Sequence, residues 1–416
     1  MTELTPAISL ERRRRERITL HQNYKSSAER SAIEAQRTPQ REAVPSLTGI
    51  RGIAAVWVLL FHLGGTCTSL FGFAWLADVP IVATGWSGVD MFFVLSGFVL
   101  MRAHSTEFTR LSTSSILRFA KIRIARVYPV SAVVLLLIAL LATDHGFVTW
   151  YRLQHPGNMT PIAFIKTALL ATRWFLPGPR GEWNQPVWSL SAEILGYAAF
   201  PLLAWLLARR SWPAALAVAL ASLGALMLYQ LTAHVDLDDM GQRPAVIRMA
   251  CCFIAGAALA RACVVAPARV ANSSARLTVI ATALILASCL APRIAVILPF
   301  SYAILILALA FRRGPIDRGL SAPFVQFLGR ISFPLYLLHV MPLLWLGYRL
   351  QSGHVAAVLS IAALLLYVAL IIGLAALLHV AVERPSHRWG RRWGGLRSSH
   401  PDELRIALRP DRQLRG

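Results

Sequence analysis

The stretch Arg51–His62, RGIAAVWVLLFH, sets an arginine and a histidine at the two ends of an otherwise apolar run. As a helix, eleven residues turn through three full turns with only about 20° left over, so both side chains lie on one face, about 16 Å apart along the axis. The run belongs to a longer apolar segment, roughly residues 47–69, of the length a membrane-spanning helix needs. A spanning helix with a cation at one end and an imidazole in phase at the other suits a long ligand held along it, charged at one end and reacting at the other.

The rest of the chain repeats the apolar theme. Of its 416 residues 56% are hydrophobic and 15% charged, and the mean hydropathy is +0.55. A soluble domain is more charged and less apolar than this, so the fold class is all-α, a polytopic integral membrane protein. The formal charge of +22 does not point to nucleic acid, because arginine and lysine cluster just outside apolar runs and no nucleic-acid motif accompanies them. The five cysteines show no CxxC or His-paired spacing, so neither a disulfide framework nor a metal site is expected. No cleavable signal peptide is expected, since ERRRRER at 11–17 is followed by polar sequence. Residues 1–46 read as a cytoplasmic, largely disordered basic tail that orients the chain and contacts anionic lipid.

Hydropathy predicts about ten spanning helices, near 47–69, 84–101, 127–143, 187–208, 212–232, 245–265, 276–291, 294–311, 324–348 and 355–382. Between the third and fourth, IAFIKTALLATRWFL (162–176) reads as an interfacial or short re-entrant helix. With the N-terminus inside, the even-numbered connections carry Lys121, Arg123 and Arg126, then Arg209 and Arg210, then Arg261 and Arg269, then Arg312, Arg313 and Arg318. The acidic loop with Asp236, Asp238 and Asp239 falls outside. This asymmetry predicts a cell-membrane (inner-membrane) protein with both termini cytoplasmic. The domain reading is a tail at 1–46, a membrane domain at 47–385, and a basic cytoplasmic tail at 386–416. No internal repeat encourages a transporter of inverted halves.

Ionisable side chains at membrane depth are costly and are functional candidates by default. Counting along the helices sets His62, Asp90, Glu193 and His339 at roughly one level in the outer half, with Tyr336 beside His339. Each also has a plainer reading. His339 and His62 could be hydrogen-bonded packing residues, Asp90 a cap, and Tyr336 interfacial packing. Glu193 has the weakest such reading, since an unpaired carboxylate in an apolar span is very costly. Arg123 and Arg126, three apart at the cytoplasmic end of the third helix, could bind phosphates as two guanidinium forks or simply serve the positive-inside bias.

Five segments in order, LTGIRGIAAVWVLLFH (47–62), GVDMFFVLSGFVL (88–100), RIARVYP (123–129), WSLSAEILGYAAFPLL (188–203) and LGRISFPLYLLH (328–339), resemble the hallmarks of the bacterial membrane acyltransferase-3 family. The resemblance covers about residues 47–385. It implies an integral membrane enzyme that moves acyl groups, commonly acetyl, from cytoplasmic acyl-CoA to hydroxyls of exported sugars, surface polysaccharides, lipid-linked glycans or secreted small molecules. The family's Arg-x10-His falls on Arg51 and His62, its Arg-x-x-Arg on Arg123 and Arg126, and the acid of its Trp-Ser-Leu-Ser-x-Glu segment on Glu193. Where relatives often carry a second acidic residue beside that glutamate, this chain has Ala192 and Ile194. The esterase-like domain that some relatives add after the membrane domain is not expected here, which leaves acceptor choice to the membrane domain and its loops.

Taken together these readings predict an O-acyltransferase with acyl-CoA as donor substrate, a carbohydrate or glycoconjugate hydroxyl as acceptor, membrane lipid as surroundings, and no permanently bound cofactor. Arg123, Arg126 and Arg51 would hold the donor. His62 would act as general base, since neutral imidazole suits proton abstraction near pH 7. Glu193 would fix its tautomer. Direct transfer is the simplest course, with an acyl-histidine intermediate as the alternative. Three rival readings stand beside it: acylation of a secreted small molecule such as a glycosylated antibiotic, a glycan or lipid transporter using the buried groups as a proton relay, and a structural partner in polysaccharide assembly. The oxyanion stabiliser and the oligomeric state have no sequence signature.

Overall fold

A computed structural model describes residues 44–71, 75–174, 181–233, 242–264, 268–311, 314–352 and 357–395. The acidic loop, Arg312, Arg313 and most of both tails lie outside these residues. Among the described residues the chain is helical throughout, with no strand. The α-helices of eight residues or more are α1 Pro45–Phe71, α2 Gly88–His104, α3 Thr113–Leu141, α4 His145–Gln154, α5 Pro161–Ala168, α6 Val187–Ala208 and α7 Trp212–Ala233. Then follow α8 Gln242–Val264, α9 Ala268–Leu290, α10 Leu298–Leu309, α11 Pro323–Leu338, α12 Val340–Ser352, α13 Ala357–Leu378 and α14 Arg384–Trp393.

Among the described residues eight helical stretches are long and apolar enough to cross a membrane, and α11 with α12, bent by 56°, makes a ninth where the pair is counted as one span. The remaining expected span, 294–311, is instead the short apolar α10 with the 3₁₀ turns before it, below the length of a spanning helix, so the ten expected spans are eight or nine among the described residues. The chain is therefore a multi-pass membrane protein.

Three of the differences from the hydropathy reading have a clear physical reason. α3 starts at Thr113 rather than near 127, because the basic stretch before the apolar run is itself helical. Ser112 caps it, accepting from the backbone N–H of Ser115 at 3.2 Å. Its 29 residues measure about 44 Å, well over the roughly 30 Å of a hydrocarbon core. The ninth span breaks at His339 because Pro342, three residues on, can neither donate to the Leu338 carbonyl nor avoid crowding it. Side chains take up carbonyls beside the break: Asn184 Nδ2 donates to Leu337 O at 3.0 Å and the Tyr367 hydroxyl donates to His339 O. The last span continues past 382 through a single π turn, His379–Glu383, into α14.

The stretch between α3 and α6 forms the two short helices α4 and α5. Within 162–176, read as an interfacial or short re-entrant helix, the eight-residue α5 leaves Ile162 and Ile165 exposed, and Tyr128 of α3 donates to Leu169 O just beyond it at 3.0 Å. After it, Arg173 and Glu182 form a buried ion pair at 2.9 Å.

What positions the site is the contact of α1 with α11. A Cβ on Gly329 would lie 2.1 Å from the Thr48 carbonyl oxygen, so the two backbones touch there as small residues allow in membrane bundles. That contact sets the Arg51–His62 face of α1 alongside the helix that ends in Tyr336 and His339.

Candidate active site

Two groups of polar side chains line up along α1, one at each end of the Arg51–His62 stretch. At the arginine end is a cavity of about 870 Å³, counting the space open at its mouth, lined among others by Arg51, Arg123, Arg126, Glu193, Tyr197, Ser96, Ser189, Ser332 and Tyr336. α6 contributes Ser189, Glu193 and Tyr197, spaced four apart and so on one helical face. α3 contributes both arginines of the Arg-x-x-Arg pair. Arg51 lies within electrostatic reach of Arg126, Glu193 and Glu383, and Arg123 within reach of Arg126, Glu193 and Tyr197. The Arg123 guanidinium carbon stands 5.5 Å from the Phe119 ring, and its Nε is buried without a partner among the described residues.

At the other end stand two histidines. His62 Nδ1 is 2.9 Å from Val58 O and 3.3 Å from His339 Nε2, with the rings edge to face at 4.9 Å. His339 Nδ1 is 2.8 Å from Tyr336 O, and His339 is 1% exposed. These contacts fix the protons. A carbonyl oxygen only accepts, so in the neutral rings His339 carries its hydrogen on Nδ1 and leaves Nε2 as an acceptor. By the same rule His62 Nδ1 carries its hydrogen, shared between Val58 O and His339 Nε2. His62 Nε2 is then the basic nitrogen.

Tyr336 connects the two ends. It lines the cavity, exchanges a 2.7 Å hydrogen bond with Ser189, and lies with its ring centroid 5.8 Å from that of His339.

Two expectations need correction. Glu193 does not bond His62: its Oε1 accepts from the Tyr197 hydroxyl at 2.8 Å and from Ser96. The four residues do not share one level. Ser96, the partner of Glu193, is six residues farther along α2 than Asp90, a distance of about 9 Å. Glu193 therefore belongs with Arg51 and Arg123, toward the arginine end. Asp90 belongs to neither group. It is fully buried, with Oδ1 and Oδ2 accepting from Arg248 Nε at 3.1 Å and Nη2 at 3.0 Å. The Arg248 guanidinium in turn lies 5.7 Å from the Trp86 ring and 5.5 Å from that of Trp188.

Sequence reasoning missed several of these partners. Tyr197 and Ser189 were legible as the i±4 neighbours of Glu193. Arg248 was legible as a lone cation inside an apolar run, the default mark of a functional or paired residue. Ser96 and Asn184 carried no such signal. No group of three or more His, Cys, Asp or Glu side chains that could hold a metal occurs among the described residues.

The acyltransferase-3 family model, described as an acyltransferase domain, matches residues 44–380. Acyltransferase MdmB of Streptomyces mycarofaciens is 28% identical over 382 residues, which cover 85% of this chain and 94% of that protein. O-acetyltransferase OatA of Staphylococcus aureus is 27% identical over 177 residues, 41% of this chain and 26% of that protein. Protein 2 in picA locus of Rhizobium radiobacter is 31% identical over 180 residues, 40% of this chain and 84% of that protein. The chain thus spans about a quarter of the staphylococcal relative and nearly all of the Streptomyces one. No solved structure matches.

Proposed function

This chain belongs to the acyltransferase-3 family and is an acyltransferase enzyme, and we propose that it carries an acyl group, acetyl first, from cytoplasmic acyl-CoA to a hydroxyl of an exported or surface carbohydrate. The observation that carries this reading is a cavity whose one end is lined by Arg51, Arg123 and Arg126 and whose Tyr336 wall abuts the His62–His339 pair. A polyanionic nucleotide suits the arginine end, because guanidinium forks bind phosphates bidentately. The pantetheine arm is long and thin enough to run along α1, and the thioester then reaches the histidines. That the staphylococcal relative is an O-acetyltransferase by name favours an acetyl group and an oxygen nucleophile.

The reaction on this reading is direct transfer. The acceptor hydroxyl loses its proton to His62 Nε2 as its oxygen bonds the thioester carbonyl carbon. The tetrahedral intermediate then breaks its C–S bond, and the proton passes from the imidazolium to the departing thiolate, leaving an ester and free CoA. His339, whose Nε2 accepts from His62 Nδ1–H, holds the base in the right tautomer, the role an aspartate has in a hydrolase triad. Glu193 instead organises the donor end, holding Ser96 and Tyr197 and balancing Arg51 and Arg123.

On this reading the arginine end faces the cytoplasm, the histidine end the outer half of an inner membrane, and both termini are cytoplasmic. The test is comparative mass spectrometry of surface glycans and secreted metabolites from cells with and without the protein, joined to transfer from labelled acetyl-CoA by the purified enzyme. A missing acyl mass on a glycan supports the proposal. The same loss on a secreted small molecule keeps the donor and chemistry but changes the acceptor. Proton-coupled flux of a glycan or lipid with no acylation would replace it by the transporter reading.

A further inference from the structure

The segment ERPSHRWGRRW, Glu383–Trp393, follows the last span without interruption. Leu359–Trp393 forms one helical stretch of 35 residues, about 52 Å long where a hydrocarbon core needs about 30 Å. α3 is overlong as well. The two overshoot together, because α14 packs on the first half of α3, so tightly that a Cβ on Gly390 would lie 2.4 Å from Ala125 Cβ. The π turn at His379–Glu383 adds a residue to the helical turn and resets which face of α14 meets α3, and such turns recur at functional sites. Glu383 is held within it by His379 at 2.7 Å.

The flank of α14 beside this contact brings His387 within electrostatic reach of Arg123, Arg126 and Arg391. Arg51 of α1 and Arg123 and Arg126 of α3 line the cavity, and the packing of Gly390 on Ala125 sets α14, with His387 and Arg391 on this flank, beside the α3 pair without lining the cavity. The carboxylates within reach are already engaged: Glu193 by Tyr197 and Ser96, Glu383 by His379, and Glu107 by His104 at 2.7 Å. Like charges gathered by folding repel one another unless an anion neutralises them, and the Nε of Arg123, buried without a partner among the described residues, is a donor in their midst. One pair of arginines suffices for a diphosphate. Arg391, exposed on α14 within electrostatic reach of His387, adds a cation outside that pair and calls for another anionic group.

We infer that His387 and Arg391 of α14 bind the ribose 3′-phosphate of the acyl donor, outside the Arg123–Arg126 pair that takes its diphosphate. The inference rests on the acyl-CoA reading of the donor. In that molecule the diphosphate is joined to the pantetheine arm and lies at the cavity mouth, while the 3′-phosphate sits on the ribose beyond it, where Arg391 is exposed. The other flank of α14 carries a different chemistry. Trp389 and Trp393 stack at 4.8 Å with Lys121 5.4 Å from the Trp393 ring, about 200° round the helix from Arg391. An exposed tryptophan pair with a cation is an interfacial anchor, so the bilayer takes that flank and leaves the His387–Arg391 flank to the donor.

The experiment compares binding of acetyl-CoA and 3′-dephospho-acetyl-CoA to the purified full-length protein. The native chain is expected to prefer acetyl-CoA by roughly tenfold or more, the order for one charge-assisted phosphate contact. Arg391→Gln combined with His387→Gln should bring that ratio close to one by weakening acetyl-CoA alone. Arg391→Lys should keep part of it as a point charge. Arg123→Ala should weaken both thioesters together. An unchanged ratio in the α14 variant overturns the inference, as does loss of co-purifying anionic phospholipid without a change in the ratio, which would assign this flank to the bilayer too. A native protein that binds both thioesters equally overturns the inference alone. One that binds neither overturns the donor reading and the inference with it.

Discussion

His339 Nε2 stands 3.3 Å from His62 Nδ1, while His339 Nδ1 faces the Tyr336 carbonyl at 2.8 Å. The break between α11 and α12 makes this possible. It ends the helix at His339 and leaves the Tyr336 carbonyl free to take the imidazole N–H. Through that chain of contacts a backbone carbonyl on α11 decides which nitrogen of an α1 histidine is basic.

A substitution at His339 should therefore slow acyl transfer without weakening donor binding. His339→Phe keeps a ring of similar reach but removes the acceptor for His62 Nδ1–H. Val58 O still holds that hydrogen, so transfer is expected to fall by about tenfold, less than the hundredfold or more associated with loss of a general base itself. His339→Gln, whose side-chain oxygen can accept, should recover part of the rate. Steady-state kinetics with labelled acetyl-CoA separates these outcomes: the loss should sit in kcat with KM for the donor unchanged. A rise in donor KM with kcat preserved would mean that His339 shapes the cavity rather than orienting the base.

Much of this arrangement was legible in the chain. The in-phase Arg51 and His62 followed from helical geometry, and the order of five family segments named the remaining parts. What the sequence could not convey was depth. Counting residues from the start of each helix placed Glu193 beside His62, because it treated all helix starts as lying on one plane. α6 instead sits so that Glu193 meets Ser96, about two turns along α2 from Asp90, and the carboxylate joins the arginines. The break at His339 was foreshadowed by Pro342, but its consequence for the imidazole was not, since the acceptor is a backbone carbonyl and backbone groups carry no residue-specific signal. The Asp90–Arg248 pair joins helices 158 positions apart in sequence, and only packing brings them together.

The separation of Glu193 from His62 has a kinetic consequence. Two members of one catalytic unit show little additional loss when both are removed, whereas groups without shared partners add in free energy and multiply in rate. His62→Gln is expected to transfer acyl groups at least about a hundredfold more slowly while still binding donor. Glu193→Gln should mainly weaken donor binding, because it unbalances Arg51 and Arg123. The double variant should show the product of the two effects on kcat/KM. A double variant no slower than His62→Gln alone would restore the dyad that the hydrogen bonds of Glu193 argue against.

Orientation is open to a direct chemical test. In a variant without its natural cysteines, single cysteines at Leu153, which is 79% exposed on α4, and at Arg392, exposed on α14, should label from opposite sides of the membrane. An impermeant thiol reagent added to intact cells is expected to reach the first and not the second. Labelling of position 392 from outside would invert the assignment of the arginine end to the cytoplasm, and with it the source of the donor.

The Asp90–Arg248 pair makes the last expectation one of stability rather than chemistry. Both side chains are nearly inaccessible, at 0% and 3% exposure, and the pair ties α2 to α8 beside Trp188, the residue before Ser189. Removing one partner leaves a charge in an apolar interior, which in buried pairs costs about 3–5 kcal/mol. Asp90→Ala or Arg248→Ala should thus lower the thermal midpoint of the purified protein strongly. Replacing both, as Asp90→Asn with Arg248→Met, removes the two charges together and should regain most of that loss, since an uncharged pair of similar volume avoids the desolvation penalty. If the single variants keep full stability but lose acyl transfer, Asp90 belongs to the reaction after all, and the ion pair is its resting state rather than a fastening between helices.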